Sequence, residues 1–140
     1  MKPKNVLLID DDIDDQEFFT EALSKLENVN LVGVANNGKE ALDMLKNFIS
    51  LPDLIFMDCN MPLMNGTECL NEIIQDPRTR DIPVFMLSGA IEQAELSRKL
   101  GAQGFIKKTS DLAELRTELN RAINHNISVN YVITEQPVLN

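Results

Sequence analysis

Asp58-Cys59-Asn60-Met61-Pro62-Leu63-Met64-Asn65-Gly66 follows directly on an apolar run, Leu54-Ile55-Phe56-Met57. Such a run reads as a strand buried on both faces. A carboxylate at its end lies where open α/β sheets place their ligand sites, beyond the carboxyl ends of the strands. A second run, Val6-Leu7-Leu8-Ile9, also ends in acids, Asp10-Asp11-Asp12. Two strands that end this way bring several like charges to one edge. Their repulsion calls for a cation.

Further strands are expected at Leu31–Val34, Ile82–Leu87 and Gly104–Ile106. Helical spacing lies between them. Phe18, Phe19, Ala22, Leu23 and Leu26 line one face of a first helix; Ala41, Leu42, Leu45, Phe48 and Ile49 line a second. Leu70, Ile73 and Ile74 mark a third, and Ala94, Leu96 and Leu100 a weaker fourth. Leu112, Leu115, Leu119, Ala122 and Ile123 mark a fifth, capped by Ser110 or Asp111. Asn37-Gly38 precedes a helical pattern, so it reads as a strand-to-helix turn and not as a hairpin. Strands alternating with helices give βαβ units, right-handed crossovers and an α/β fold.

The chain has 140 residues, enough for one ordinary domain. Its net charge of -9 argues against a nucleic-acid surface and against anionic lipid. No apolar stretch approaches a membrane span, and Met1-Lys2-Pro3-Lys4-Asn5 does not read as a secretory leader. Cys59 and Cys69 are the two cysteines, read as small buried residues in a reducing cytosol. A cytoplasmic protein is therefore expected. The segment from His125 onward is polar, yet Ile127, Val129, Tyr131 and Ile133 alternate at strand period. The expected division is a domain over 1–125 and a tail over 126–140. The tail is an extended arm packed on its own domain or on a neighbour, or else a frayed terminus. A twin chain as that neighbour leaves a homodimer open.

Asp10 and Asp11 lie directly past the first strand, whereas Asp12, Asp14 and Asp15 read as the start of the first helix, where negative charge suits the dipole. Mg²⁺ takes oxygen ligands, often one or two carboxylates plus a phosphate. Asp11 and Asp58 can supply the carboxylates, Asp10 can act through a water, and the backbone carbonyl of Asn60 can complete the set. Ser88 ends the fourth strand and can reach a phosphoryl oxygen. Lys108 ends the fifth and offers a compact positive charge. Taken singly, these are ordinary surface residues. Together they suit phosphoryl transfer onto a carboxylate.

These pieces resemble the response-regulator receiver domain of two-component signalling. The resemblance rests on Val6–Asp12, Ala35–Leu42, Asp58–Gly66, Leu87–Ala90 and Gly101–Lys108, in family order over about residues 4 to 124. It implies a doubly wound, flavodoxin-like sheet of five parallel strands in the order 2-1-3-4-5. It implies Asp58 as phosphoacceptor and Asp10, Asp11, Asp58 and the Asn60 carbonyl around Mg²⁺. Ser88 would be the switch hydroxyl, Lys108 the phosphate-binding lysine and Phe105 the switch aromatic, whose ring turns inward when Ser88 is drawn to the phosphoryl group. The response is expected in the fourth helix, fifth strand and fifth helix. Asn60 and Ala90 would flank the water that ends the phosphorylated state. Lys107 is expected to face outward. Thr109 stands where the family usually has proline, and a trans Lys108–Thr109 bond is expected because a cis bond there costs ~3–4 kcal/mol.

The resemblance further implies a stand-alone receiver, not an enzyme beyond its own phosphorylation and slow dephosphorylation. A histidine kinase or histidine phosphotransfer protein would be the donor and an unidentified protein the target. One alternative is a hydrolase that forms an aspartyl phosphate. Such enzymes resembling the haloacid dehalogenases carry a second Asp where this chain has Asn60. The other is a degenerate receiver used as a scaffold, which the intact Asp11, Asp58, Ser88 and Lys108 argue against.

Overall fold

The computed structural model describes residues 2–125. Strands and helices alternate as β1 (Lys4–Ile9), α1 (Ile13–Ser24), β2 (Val29–Ala35), α2 (Gly38–Asn47), β3 (Leu54–Asp58), α3 (Gly66–Gln75), β4 (Val84–Ser88), α4 (Gln93–Lys99), β5 (Gly104–Lys107) and α5 (Leu112–His125). The strands form one parallel sheet in the order β2-β1-β3-β4-β5. The expected fold is therefore the observed one. The alternating Ile127–Thr134 segment lies outside the described residues.

The central strands are apolar throughout because helices cover both faces. Alternation sends successive side chains to opposite layers. Val6, Leu8, Leu54, Phe56, Phe85, Leu87 and Ile106 pack with Phe19, Ala22 and Leu23 of α1 and with Leu115, Leu119 and Ala122 of α5. Leu7, Ile9, Ile55, Met57, Val84, Met86 and Phe105 pack instead with Ala41 and Leu45 of α2 and Cys69, Leu70 and Ile73 of α3. Phe56 lies between Phe19 and Phe85, with ring centroids 5.3 and 5.4 Å apart. β2, at the sheet edge, alternates between half-buried and exposed positions over Val29–Gly33 and ends buried at Ala35.

Some boundaries differ from the sequence expectation. The fourth strand begins at Val84, since Ile82 belongs to the preceding turn and donates its N–H to Thr79. It runs on through Ser88, which pairs with Lys107. Hydrogen bonding extends β2 to Val29–Ala35 along the whole of β1. Asn37 caps α2 by accepting from the Glu40 N–H, as a strand-to-helix turn requires. At α5, Asp111 accepts from the Glu114 N–H at 3.0 Å, so the cap falls on Asp111 and not Ser110. His125 lies in the last turn of α5, not past it.

Candidate functional site

Strand register places the chemistry. Asp58 closes β3, Asp10 follows β1, Ser88 closes β4, and Lys108 follows β5. Asp58 and Lys108 share the alternation parity of Phe56 and Ile106. The Lys108 N–H is tied to the Ser88 carbonyl at 2.8 Å, which holds the two strand ends together. Lys107, one residue earlier, is exposed.

Asp10, Asp11 and Asp58 each bring a carboxylate oxygen into a group within 4.8 Å of one another. Asp10 and Asp58 are buried at 2% and 5% exposure, whereas Asp11 is exposed. One Asp10 oxygen accepts from the Asp12 N–H at 2.9 Å, and one Asp58 oxygen accepts from the Asn60 N–H at 3.3 Å. Burial is the largest influence on Asp10; with the nearby Asp58 and Asp15 charges it pushes the carboxyl up to about 6, against the Asp12 amide and Lys108. Burial also raises Asp58, opposed chiefly by Lys108. A divalent cation would relieve this desolvated, like-charged cluster, and hard oxygen donors suit Mg²⁺ or its analogues. The residues present therefore fit such an ion.

Lys108 reaches into the acids. Its Nζ lies 2.8 Å from Asp15, 3.4 Å from Asp58 and 3.8 Å from Asp10. Burial pulls the ammonium down, but the bond to Asp15 and the charges of Asp10 and Asp58 outweigh it and raise it overall. The group stays a cation. The sequence places Asp15 only as a helix-start acid. Asp15 sits in the first turn of α1, its N–H bonded to the Asp12 cap, and nothing in the local spacing marks it as a partner of Lys108. Gln16, also on α1, donates to the Asp10 carbonyl at 2.6 Å and to Asn36 at 2.8 Å, bracing the β1 end.

Ser88 is buried at 1% exposure. Its hydroxyl accepts from the Ala90 N–H at 3.0 Å and donates to the Gln93 side-chain oxygen. Gln93 in turn donates to the Asn60 side chain at 3.4 Å. Nothing in the sequence periodicity singles out Gln93. Phe105 is fully buried in the layer of α2 and α3. An inward turn of this ring has no exposed starting point here. The physical reason is that an unsubstituted phenyl ring has no hydroxyl to hold at the surface. The Lys108–Thr109 bond is trans. Thr109 turns its hydroxyl to the start of α5, donating to Glu114 at 2.8 Å and accepting from the Asp111 N–H at 3.1 Å.

Gly66, at the first turn of α3, packs on the back of the site. Its N–H bonds the Cys59 carbonyl at 2.9 Å. A Cβ at this position would lie 2.8 Å from Cys59 Cα and closer still to the Asp58 carbonyl oxygen. Both cysteines are buried, and burial pushes their thiols up, Cys59 to about 11 and Cys69 to about 12. At neutral pH they are inert thiols, Cys59 beside the site and Cys69 against the Gly38 carbonyl at the start of α2.

The family profile of the response regulator receiver domain matches residues 6–120. The chain belongs to this family. The receiver is 30% identical over 138 residues to the nitrate/nitrite response regulator protein NarL of Escherichia coli K12, covering 99% of this chain and 62% of that protein. It is 32% identical over 123 residues to a protein-glutamate methylesterase/protein-glutamine glutaminase of Bacillus subtilis 168, covering 81% of this chain and 33% of that one. The receiver thus spans less than two thirds of the length of these curated relatives. Among solved structures, it superposes on the phosphorylated cyanobacterial phytochrome response regulator RcpA with a TM-score of 0.76 at 31% identity, covering 88% of this chain and 92% of that one. The Mn²⁺-bound response regulator Rcp1 gives 0.75 at 26% identity, with 89% and 95% covered. The receiver is a signalling domain. No helix among its described residues is long and apolar enough to cross a membrane.

Proposed function

We propose that this receiver accepts a phosphoryl group on Asp58 from a histidine kinase or a histidine phosphotransfer protein, and signals by altered binding to another protein. The observation that carries the proposal is the convergence of Asp10, Asp11, Asp58 and Lys108 at one sheet edge. Asp10, Asp11, Asp58 and the Asn60 backbone carbonyl would hold Mg²⁺, which when bound draws negative charge from the transferring group.

An Asp58 carboxylate oxygen attacks phosphorus and forms the new P–O bond. The P–N bond to the donor imidazole breaks, and its electron pair returns to the ring nitrogen. Lys108 stabilises charge on the phosphoryl oxygens, and Ser88 can donate its hydroxyl to one of them. Buried Asp58 is oriented by the Asn60 N–H, which fixes the line of attack. Asn60 and Ala90 flank the route of the water that later hydrolyses the acyl phosphate. Neither is acidic, so neither repels or deprotonates that water. Residues 1–125 act as the receiver and 126–140 as an appended tail, in a cytoplasmic setting.

Intact-mass and peptide analysis after acetyl phosphate and Mg²⁺ tests this. The expected result is a phosphoryl adduct on Asp58 that Asp58→Asn or EDTA removes. Equal labelling of Asp58→Asn would overturn the assignment.

A further inference from the structure

Ser88 has one hydroxyl proton, and in this structure that proton goes to Gln93. The same side-chain amide reaches Asn60 at 3.4 Å, so it spans the mouth of the pocket from the start of α4 to the loop after β3. A hydroxyl that donates to Gln93 cannot donate to a phosphoryl oxygen on Asp58. The two acceptors compete, and the charged phosphoryl oxygen is the stronger. The helix that carries Gln93 is suited to move. The N-cap Glu92 makes no side-chain cap hydrogen bond, Ser97 is the one fully buried residue of α4, and Leu96 is half-exposed.

We propose that Gln93 is a positioning residue, a latch that holds the switch hydroxyl and the start of α4 in the unphosphorylated arrangement. The proposal rests on Asp58 as phosphoacceptor. When the phosphoryl group takes the Ser88 proton, Gln93 loses its partner and the first turn of α4 is released. Occupancy at Asp58 is thereby reported at α4 with no rotation of the buried Phe105 ring.

Beryllofluoride with Mg²⁺, titrated by amide NMR, tests the latch. Gln93→Met keeps the length of the side chain and removes both hydrogen bonds; Gln93→Ala serves as a second variant, with thermal unfolding to verify folding. Because one net hydrogen bond no longer has to be broken, beryllofluoride should bind either variant about three- to tenfold tighter than the wild type. The gain should vanish in a Ser88→Ala background. Amides of residues 91–97 in the unliganded variants should shift toward their liganded wild-type positions. Wild-type binding with unchanged or weaker binding in both variants would overturn the latch alone. So would an equal gain in the Ser88→Ala background. No binding to the wild type would remove the phosphoacceptor reading and the latch with it.

Discussion

Lys108 is bonded to Asp15 at 2.8 Å, closer than its 3.4 Å approach to Asp58. The lysine proposed to serve a phosphoryl group is thus held by an acid of α1. The pair is partly exposed, at 31% and 44% for the two side chains, so solvent screens it and it contributes ~1 kcal/mol or less. Asp15→Asn should free Lys108 toward Asp58 and raise the rate of Mg²⁺-dependent labelling by acetyl phosphate about two- to fivefold. Initial rates across the two proteins check this. A rate that falls would show that Asp15 assists the site instead of competing for Lys108.

Asp10 makes the metal-free protein sensitive to pH. Its folded value of about 6 exceeds the ordinary 3.8, because burial disfavours the charged form. A raised carboxyl holds its proton more tightly in the native state. Its stabilising contribution is present below the ordinary value and is lost as pH rises through about 6. In EDTA, the wild type should therefore be less stable than Asp10→Asn at pH 7.5, by on the order of 3 kcal/mol, and the gap should narrow to about half near pH 5, closing only toward the ordinary 3.8. Thermal or urea unfolding at the two values measures it.

Mg²⁺ reverses the sign. The ion needs ionised ligands, so its affinity should fall by up to about tenfold per pH unit below 6 as Asp10 takes up a proton. Calorimetric titration with Mg²⁺ between pH 5 and 7.5 checks this slope. A flat profile would remove Asp10 from the ligand set.

Gly66→Ala should harm both fold and site. The added methyl has backbone on its near side, at Cys59 Cα and the Asp58 carbonyl, and backbone cannot step aside as a flexible side chain can. Overpacking of this kind costs about 1–3 kcal/mol. Denaturant unfolding should register that loss, and Mg²⁺ affinity should drop as the Asp58 loop shifts. Gly33→Ala is the contrast, because the nearest neighbour there is the end of the Met44 side chain.

Thr109 holds the start of α5 through its hydroxyl, to Glu114 and from the Asp111 N–H. Thr109→Val keeps the shape and removes both bonds. It should cost about 1 kcal/mol and loosen the first turn of α5, seen as faster amide exchange at residues 111–115.

The order of elements and the site's strand-end residues were determined by the sequence itself. Apolar runs short enough for strands and helical spacing between them are local patterns, and Asp58, Ser88 and Lys108 stand at the ends of those runs. The Asp58–Gly66 run carried the family with it. Periodicity alone says which residues are buried but not which strands are neighbours; in the sequence, the 2-1-3-4-5 order came only through the family resemblance. Only the tertiary structure decided where the polar side chains spend their bonds. Lys108 meets Asp15 across 93 positions of chain, and Gln93 meets Asn60 across 33. Such partners depend on side-chain rotamers at helix starts brought together by the sheet, and no local pattern encodes them. The buried Phe105 was likewise a tertiary outcome, since its place follows from the layer in which α4 covers β5 beside α2 and α3.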